Sequence, residues 1–455
     1  MRIIVVGNGM AGARLAGELS TLDVTVLGAE NHPAYNRILL SSVLAGKHRA
    51  GDIGLVGGSK ARLGVTVTAI DRQARTVTTD SGEQFAYDHL VLATGSRAIV
   101  PPLPGLEHAL TFRTLDDCRS ILDRLDGAGT ALVLGGGLLG LEAARGLAGR
   151  GLKVDVVHAV GHLMERQLDP SASRVLERTL TDLGITVHLN ARAIAGGSDR
   201  LELEDGRVLI ADLLVVACGV RPETALAAEA GLRVDRGIVV DERLRTSDRR
   251  ISAIGDCAQV GGEVGGLVAP AWEQARLVAR QLNGTEPLAL YQPPAPVTRL
   301  KASGIDLAAM GSLHAEDAED LSFQDISSGT YARLVIKDER VAGAVMLGDN
   351  PSVGRVIQLF DRKLPVPLDR RALLLGRSLS GRDDASEVDS PALMPEAATV
   401  CQCNSVTKGA LVNCWRSGQR MLADVVERTR ATTGCGSCRD TVEGIMGWLA
   451  RGEAA

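Results

Sequence analysis

Aromatic side chains are scarce in this chain. Phe, Trp and Tyr make up 2% of it, too few for the stacking platforms on which proteins hold unpaired bases. An excess of positive charge is also missing: 50 Lys and Arg face 55 Asp and Glu, for a net charge of −5. That balance gives no support for nucleic-acid binding. No run approaches 18 uninterrupted apolar residues, so no membrane span is expected. The first residues, MRIIVVGNG, enter a strand at once and leave no room for a signal peptide. Cysteine is absent before Cys118, and five of the eight cysteines sit in the last quarter of the chain, four of them in one metal-like constellation. The expectation is a reduced, cytoplasmic protein. Its 455 residues exceed a single core, so two to four domains are expected.

What is present begins with IIVVGNGMAG. Ile3 to Val6 form a β-branched run, Gly7, Gly9 and Gly12 give G-x-G-x-x-G, and Ala13 to Leu19 read as a helix. In such a unit the first glycine makes the turn, the second admits a pyrophosphate, and the third lets helix and strand pack closely. Helix amides then face the phosphates, with Met10 and Ala11 in the first turn. A second strand, Val24 to Leu27, follows on schedule, and Glu30 is the candidate ribose acid, two or three residues late. A solvated surface carboxylate is the alternative for Glu30.

ALVLGGGLLGLEAARGL repeats the pattern with Gly135, Gly137 and Gly140. Its next strand, Lys153 to Val157, ends in His158 where a ribose-binding acid would ordinarily stand. No Arg or Lys occurs between His158 and Glu165 to pair a 2′-phosphate, which points to NADH ahead of NADPH. Two such units in one chain indicate one site for a flavin dinucleotide and one for a nicotinamide dinucleotide. HLVLATGS, with Ala93, Thr94 and Gly95, reads as a buried strand ending beside the first dinucleotide. RRISAIGDCAQ is another strand, and Asp256 stands at its C-terminal end, where doubly wound sheets bind ligands.

Near the C-terminus stand Cys401, Cys403, Cys435 and Cys438, spaced C-x-C, then C-x-x-C. Four thiolates match the ligand count of a [2Fe–2S] cluster. Structural zinc also takes four cysteines, although zinc ribbons usually pair two C-x-x-C units; four unligated thiols are the remaining reading. Helices are expected over 407–415 and 421–430, with a tight turn at Gly434-Cys435-Gly436 before a third. Cys414 falls mid-helix and reads as a packed thiol, as do Cys118, Cys218 and Cys257.

GNGMAG, ATG, GGGLLGLE and AIGD, in this order, resemble the two-dinucleotide-binding-domain flavoprotein family that includes rubredoxin and ferredoxin reductases. AYNRILLSSVLAG, LMERQLD, GLVAPAWEQA and VTRLKASGIDL resemble the reductase half of the bacterial NAD(P)H nitrite reductase large subunit, and more closely the electron-transfer subunit of assimilatory nitrate reductase. The CQC…GCGSC tail is similar to the bacterioferritin-associated-ferredoxin-like [2Fe–2S] domain.

The resemblance implies an α/β fold with two Rossmann-like domains, a small α+β interface domain and a small helical cluster domain. The expected boundaries are 1–112 with 240–288 for FAD, 113–239 for NAD(P)H, 289–372 for the interface domain and 399–455 for the cluster. Residues 373–398 would be a linker, whose polar composition from Ser380 suggests a mobile tether. By motif, Asp256 would bond the flavin ribityl chain, Arg37 would contact the FAD pyrophosphate and Glu142 would sit near the nicotinamide. Two departures stand out. The lysine that many relatives place beside the flavin is replaced within Leu40-Ser41-Ser42, and the redox cysteine pair of disulfide reductases is absent. Electrons are therefore expected to pass from NAD(P)H through FAD and the cluster to a separate catalytic subunit, foremost a molybdenum nitrate reductase. Nitrite reductase, rubredoxin and ferredoxin are the alternative acceptors.

Overall fold

The structure is a computed structural model of the 455-residue chain. It describes all residues except 56–60, 108, 294, 296, 303, 376–390, 393, 402–405, 433–437 and 454–455. The chain forms two compact units, Met1–Gly376 and Arg377–Ala455.

The first unit holds two parallel five-stranded sheets. The first orders Ile251–Ala253, His89–Leu92, Arg2–Val6, Asp23–Gly28 and Arg62–Leu63. The second orders Ile185–His188, Lys153–Val157, Thr130–Leu134, Leu213–Val216 and Leu110–Thr111. In both, the strand before the glycine loop is central and pairs in register with the next: Val6 with Leu27, and Leu134 with Val157. Helices cover both faces of such sheets, so these strands are continuous apolar runs. Ile3, Val5, Leu90 and Val133 are fully buried, each worth about 1.5–3 kcal/mol of transfer free energy.

Ala227, Leu232 and Ile238 pack into the core of the first sheet. Before them, Val220–Pro222 pairs antiparallel with Ser96–Ala98.

An antiparallel sheet follows in the order Val297–Ala302, Ile305–Gly311, Arg340–Leu347, Thr330–Lys337 and Glu319–Asp325. Its alternation divides two cores. Leu307 and Ala309 join the core of the second dinucleotide sheet, while Ala308 and Met310 pack with the helix Val353–Asp361. The turn between Lys337 and Arg340 has positive φ at both Asp338 and Glu339, as a two-residue type I′ hairpin requires.

The second unit has a short hairpin, Thr399–Cys401 with Val406–Thr407, and helices Lys408–Arg416, Leu422–Thr429 and Arg439–Glu453. These match the expected tail helices. The Gly434-Cys435-Gly436 turn and the tether from Ser380 to Ser390 lie outside the described residues.

Candidate functional site

The first glycine loop is built by packing at two positions and by open space at the third. A Cβ on Gly7 (φ +112°) would stand 2.1 Å from the Ala93 carbonyl oxygen, and one on Gly12 would stand 1.9 Å from that of Gly7. At Gly9 nothing lies within 4 Å. Helix Met10–Glu18 starts from Gly9 with no side-chain cap and no acid in its first turn. Its leading N–H groups thus have no side-chain acceptor, the arrangement that receives a pyrophosphate. Met10 and Ala11 are buried in that turn, and Trp272 Nε1 donates to the Met10 carbonyl at 2.9 Å. Asn8 Oδ1 is buried without a partner. Across the loop Ala93 is buried, Thr94 Oγ1 donates to Glu223 O at 2.8 Å, and Gly95 (φ +73°) has no neighbour within 4 Å of its Cβ position. These features fit a bound dinucleotide.

Two polar clusters flank this cradle. Glu30 accepts from the Tyr35 hydroxyl at 2.7 Å and from the Arg37 guanidinium, and Arg37 also lies over the Tyr35 ring and donates to Arg113 O at 3.3 Å. Burial, opposed by Arg37, pushes the Tyr35 hydroxyl well above its ordinary pKa. Glu30 and Arg37, expected to serve different parts of the ligand, are therefore paired with each other. The second cluster surrounds Asp256. Its Oδ2 accepts from Ser96 Oγ at 2.8 Å and from the Arg113 guanidinium at 2.6 Å, and Arg113 also donates to Ser96 Oγ at 2.7 Å. Sequence reading missed Arg113. The available signal was an arginine between the strand Leu110–Thr111 and a helix opened by the Thr114/Asp117 capping box.

The second loop repeats the first. Cβ atoms on Gly135 (φ +122°) and Gly140 would stand 2.4 Å from Ala217 O and 1.9 Å from Gly135 O, and Gly137 is open. Helix Leu138–Ala148 again starts without a side-chain cap or an early acid. Glu142 is buried on this helix. His158 follows the strand Lys153–Val157 as expected, but its Nδ1 accepts from the Gly136 N–H at 3.1 Å. The ring is thus tied to the loop.

In the second unit Cys401 ends a strand, and Cys438 directly precedes helix Arg439–Glu453, its carbonyl accepting from Val442 N at 2.9 Å. Both lie buried in one core with Val406, Trp415 and Ile445. Two buried thiols in one core, one at a helix N-terminus that favours negative charge, fit an anionic cluster. Cys403 and Cys435 lie outside the described residues. Cys414 packs in the same core, and burial raises its thiol pKa. In the first unit Cys118, Cys218 and Cys257 are free thiols. Burial pushes both Cys118 and Cys218 up to about 11, so neither is a ready thiolate.

Two glycine cradles on parallel sheets, an antiparallel third domain and a cysteine-bearing helical unit define the class of the protein. Residues 1–275 match the family described as pyridine nucleotide-disulphide oxidoreductase. Residues 296–363 match the rubredoxin NAD+ reductase C-terminal domain, and 399–448 match the BFD-like [2Fe–2S] binding domain. The chain belongs to the pyridine nucleotide-disulphide oxidoreductase family, with FAD and pyridine-nucleotide sites and an appended [2Fe–2S] domain. The assimilatory nitrate reductase electron transfer subunit of Bacillus subtilis (strain 168) is 35% identical over 474 residues, covering 99% of this chain and 60% of that one. The NAD(P)H nitrite reductase of the same organism is 36% identical over 465 residues, covering 98% and 57%. The chain therefore spans about 60% of the length of these curated relatives. The solved NADH:rubredoxin oxidoreductase from Clostridium acetobutylicum is 26% identical, with a TM-score of 0.69 over 81% of this chain and 96% of that one. Among the described residues, no helix is long and apolar enough to cross a membrane.

Proposed function

We propose that the chain takes electrons from NAD(P)H and delivers them, through FAD and a [2Fe–2S] cluster, to a catalytic centre outside these 455 residues. The favoured acceptor is a molybdenum nitrate reductase. The observation that carries this reading is the joint presence of two phosphate cradles and a cysteine-bearing core in one chain. A relative named as a nitrate reductase electron transfer subunit aligns over 99% of it.

When bound, FAD accepts a hydride equivalent and the iron–sulfur cluster takes electrons singly. The chain's own residues position these groups. Amides of the Gly9–Ala11 and Gly137–Leu138 turns would hold the two pyrophosphates, with Gly7, Gly12, Gly135 and Gly140 keeping each turn tight. Arg37 would add charge at the FAD pyrophosphate and Glu30 would face its ribose. Ala93, Thr94 and Gly95 would line the flavin side, and Asp256, held by Arg113, would accept from the ribityl hydroxyls. Glu142 would face the nicotinamide. Cys401, Cys403, Cys435 and Cys438 would ligate the cluster. No side chain is assigned as nucleophile or general acid/base. A second reading sends the electrons to nitrite reduction, favoured by the equally similar nitrite reductase.

The test is reconstitution. Reduced by NADH, the protein alone should reduce ferricyanide but not nitrate, and adding the catalytic subunit should give NADH-dependent nitrate reduction. Deleting the chain from Ser380, or replacing Cys401 by Ser, should abolish the coupled reaction and spare most ferricyanide reduction. Full coupled activity without the tail would remove the cluster from the path. Reduction of nitrite but not nitrate would select the second reading.

A further inference from the structure

The two glycine loops fill one equivalent space from opposite sides. In the first half the loop contributes Asn8 and the residue after Leu27 is Gly28, where a Cβ would stand 2.7 Å from Asn8 Cβ. In the second half the loop contributes Gly136 and the residue after Val157 is His158. There a Cβ on Gly136 would stand 2.8 Å from His158 Cγ. The side chain comes once from the loop and once from the strand. His158 therefore occupies the strand-end position usual for a ribose acid while serving as a packing group, with Nδ1 taken up by Gly136 N–H.

The chain beyond His158 folds back on the loop. Leu163 N–H donates to Ser173 Oγ at 2.8 Å, Met164 takes φ +50°, and Met164 N–H donates to Gly136 O at 3.1 Å. This return sets Glu165 Oε2 3.2 Å from His158 Nε2. The Nε2 atom is buried and makes no hydrogen bond. The Glu165 carboxylate is 41% exposed and, among the described residues, makes no other ion pair. A carboxylate missing from the strand end is thus replaced, beside the same loop, by one delivered from the following turn.

We propose that Glu165 is the carboxylate that binds the adenosine-ribose hydroxyls of NADH, that His158 is its positioning residue, and that the pair selects NADH over NADPH. The inference rests on the second loop being the nicotinamide dinucleotide site. A carboxylate accepts from both ribose hydroxyls, whereas a 2′-phosphate brings like charge against it and removes a donor. Arg166, exposed and adjacent, is the residue that would reverse this preference if it faced the ribose instead.

Glu165→Gln tests the assignment, because Glu165 is exposed and the variant keeps its shape. The NADH KM should rise about tenfold with kcat within about twofold, and the NADPH KM should not rise, so the kcat/KM ratio of NADH to NADPH falls about tenfold. Calorimetry on the flavin-loaded protein should show about tenfold weaker ADP-ribose binding and no such loss for 2′-phospho-ADP-ribose. The double variant Gly136→Asn/His158→Gly refills the space as the first half does but frees Glu165. It should lower the same ratio, keep the flavin, and add little to Glu165→Gln. A ratio within twofold of wild type in Glu165→Gln, or a wild-type preference for NADPH lost on Arg166→Gln, overturns the proposal. A double variant with an unchanged ratio overturns the role of His158. Failure of either nucleotide to reduce the wild-type flavin would instead overturn the nicotinamide assignment on which the proposal rests.

Discussion

The two dinucleotide halves share a cradle and differ in everything placed around it. Gly7, Gly9 and Gly12 are matched one for one by Gly135, Gly137 and Gly140, down to the 1.9 Å that a Cβ on Gly12 or Gly140 would leave to the preceding carbonyl. Around the first loop stand two charged clusters, Glu30 with Tyr35 and Arg37, and Asp256 with Ser96 and Arg113. Around the second stand His158 with Glu165 and the buried Glu142. Backbone amides at a helix N-terminus suit a pyrophosphate whatever dinucleotide carries it, so that part of a site can be repeated unchanged. Distinguishing one dinucleotide from another needs side chains, and these arrive from different elements in each half.

The strongest way to break the comparison is to fill the third glycine of each loop. A methyl group 1.9 Å from a carbonyl oxygen must displace backbone, at a cost of about 3 kcal/mol or more. Gly12→Ala should yield protein without FAD, read from the absorbance of the purified chain. Gly140→Ala should remain yellow while its flavin reduction by NADH slows at least a hundredfold. If Gly140→Ala also loses FAD, the halves are not independent sites.

Asp256 offers the next comparison, through its half-buried pairing with Arg113 beside the first loop. Removing one member leaves the other partly buried and uncompensated, which costs up to about 3 kcal/mol. Arg113→Leu and Asp256→Asn should each weaken FAD binding tenfold or more, measured by flavin release on dilution. Both should leave ADP-ribose affinity at the second site unchanged. A variant that keeps FAD at wild-type affinity would place this pair outside the flavin site.

Much of this was legible in the sequence because the signals are local. The apolar runs before each glycine loop, the glycine spacing and the two short cysteine pairs each lie within a few residues. Arg113 was not legible, because its partners Ser96 and Asp256 are remote in sequence and only the fold joins them. The Asn8/Gly28 and Gly136/His158 exchange was hidden for the same reason: His158 looked like a substituted ribose acid until its contact with Gly136 was visible. The short helix Ala225–Glu229 buries only Ala227, and nothing in its five residues marks which sheet it will cover.

The smallest expected difference concerns acid. The strand His89–Leu92 and the strand Leu213–Val216 hold equivalent places beside the two central strands, with Ile3 opposite His89 and Ala131 opposite Leu213. Leu213 is an ordinary core residue, whereas His89 is a titratable one, its Nε2 3.0 Å from Ser252 Oγ. Burial, helped by Arg245, lowers the His89 pKa to about 4, against about 6.5 in an unfolded chain. The folded state therefore prefers neutral imidazole. The stabilisation is fully present above pH 6.5 and is lost as pH falls towards 4, reaching about 2 kcal/mol of loss at pH 5. Amide hydrogen exchange at pH 5 against pH 7.5 should show the first sheet losing protection ahead of the second. His89→Gln, which cannot take up the proton, should remove that difference and flatten the acid limb of the stability curve. Equal loss in both sheets, or an unchanged acid limb in His89→Gln, would mean that the asymmetry between the halves does not extend to their response to protons.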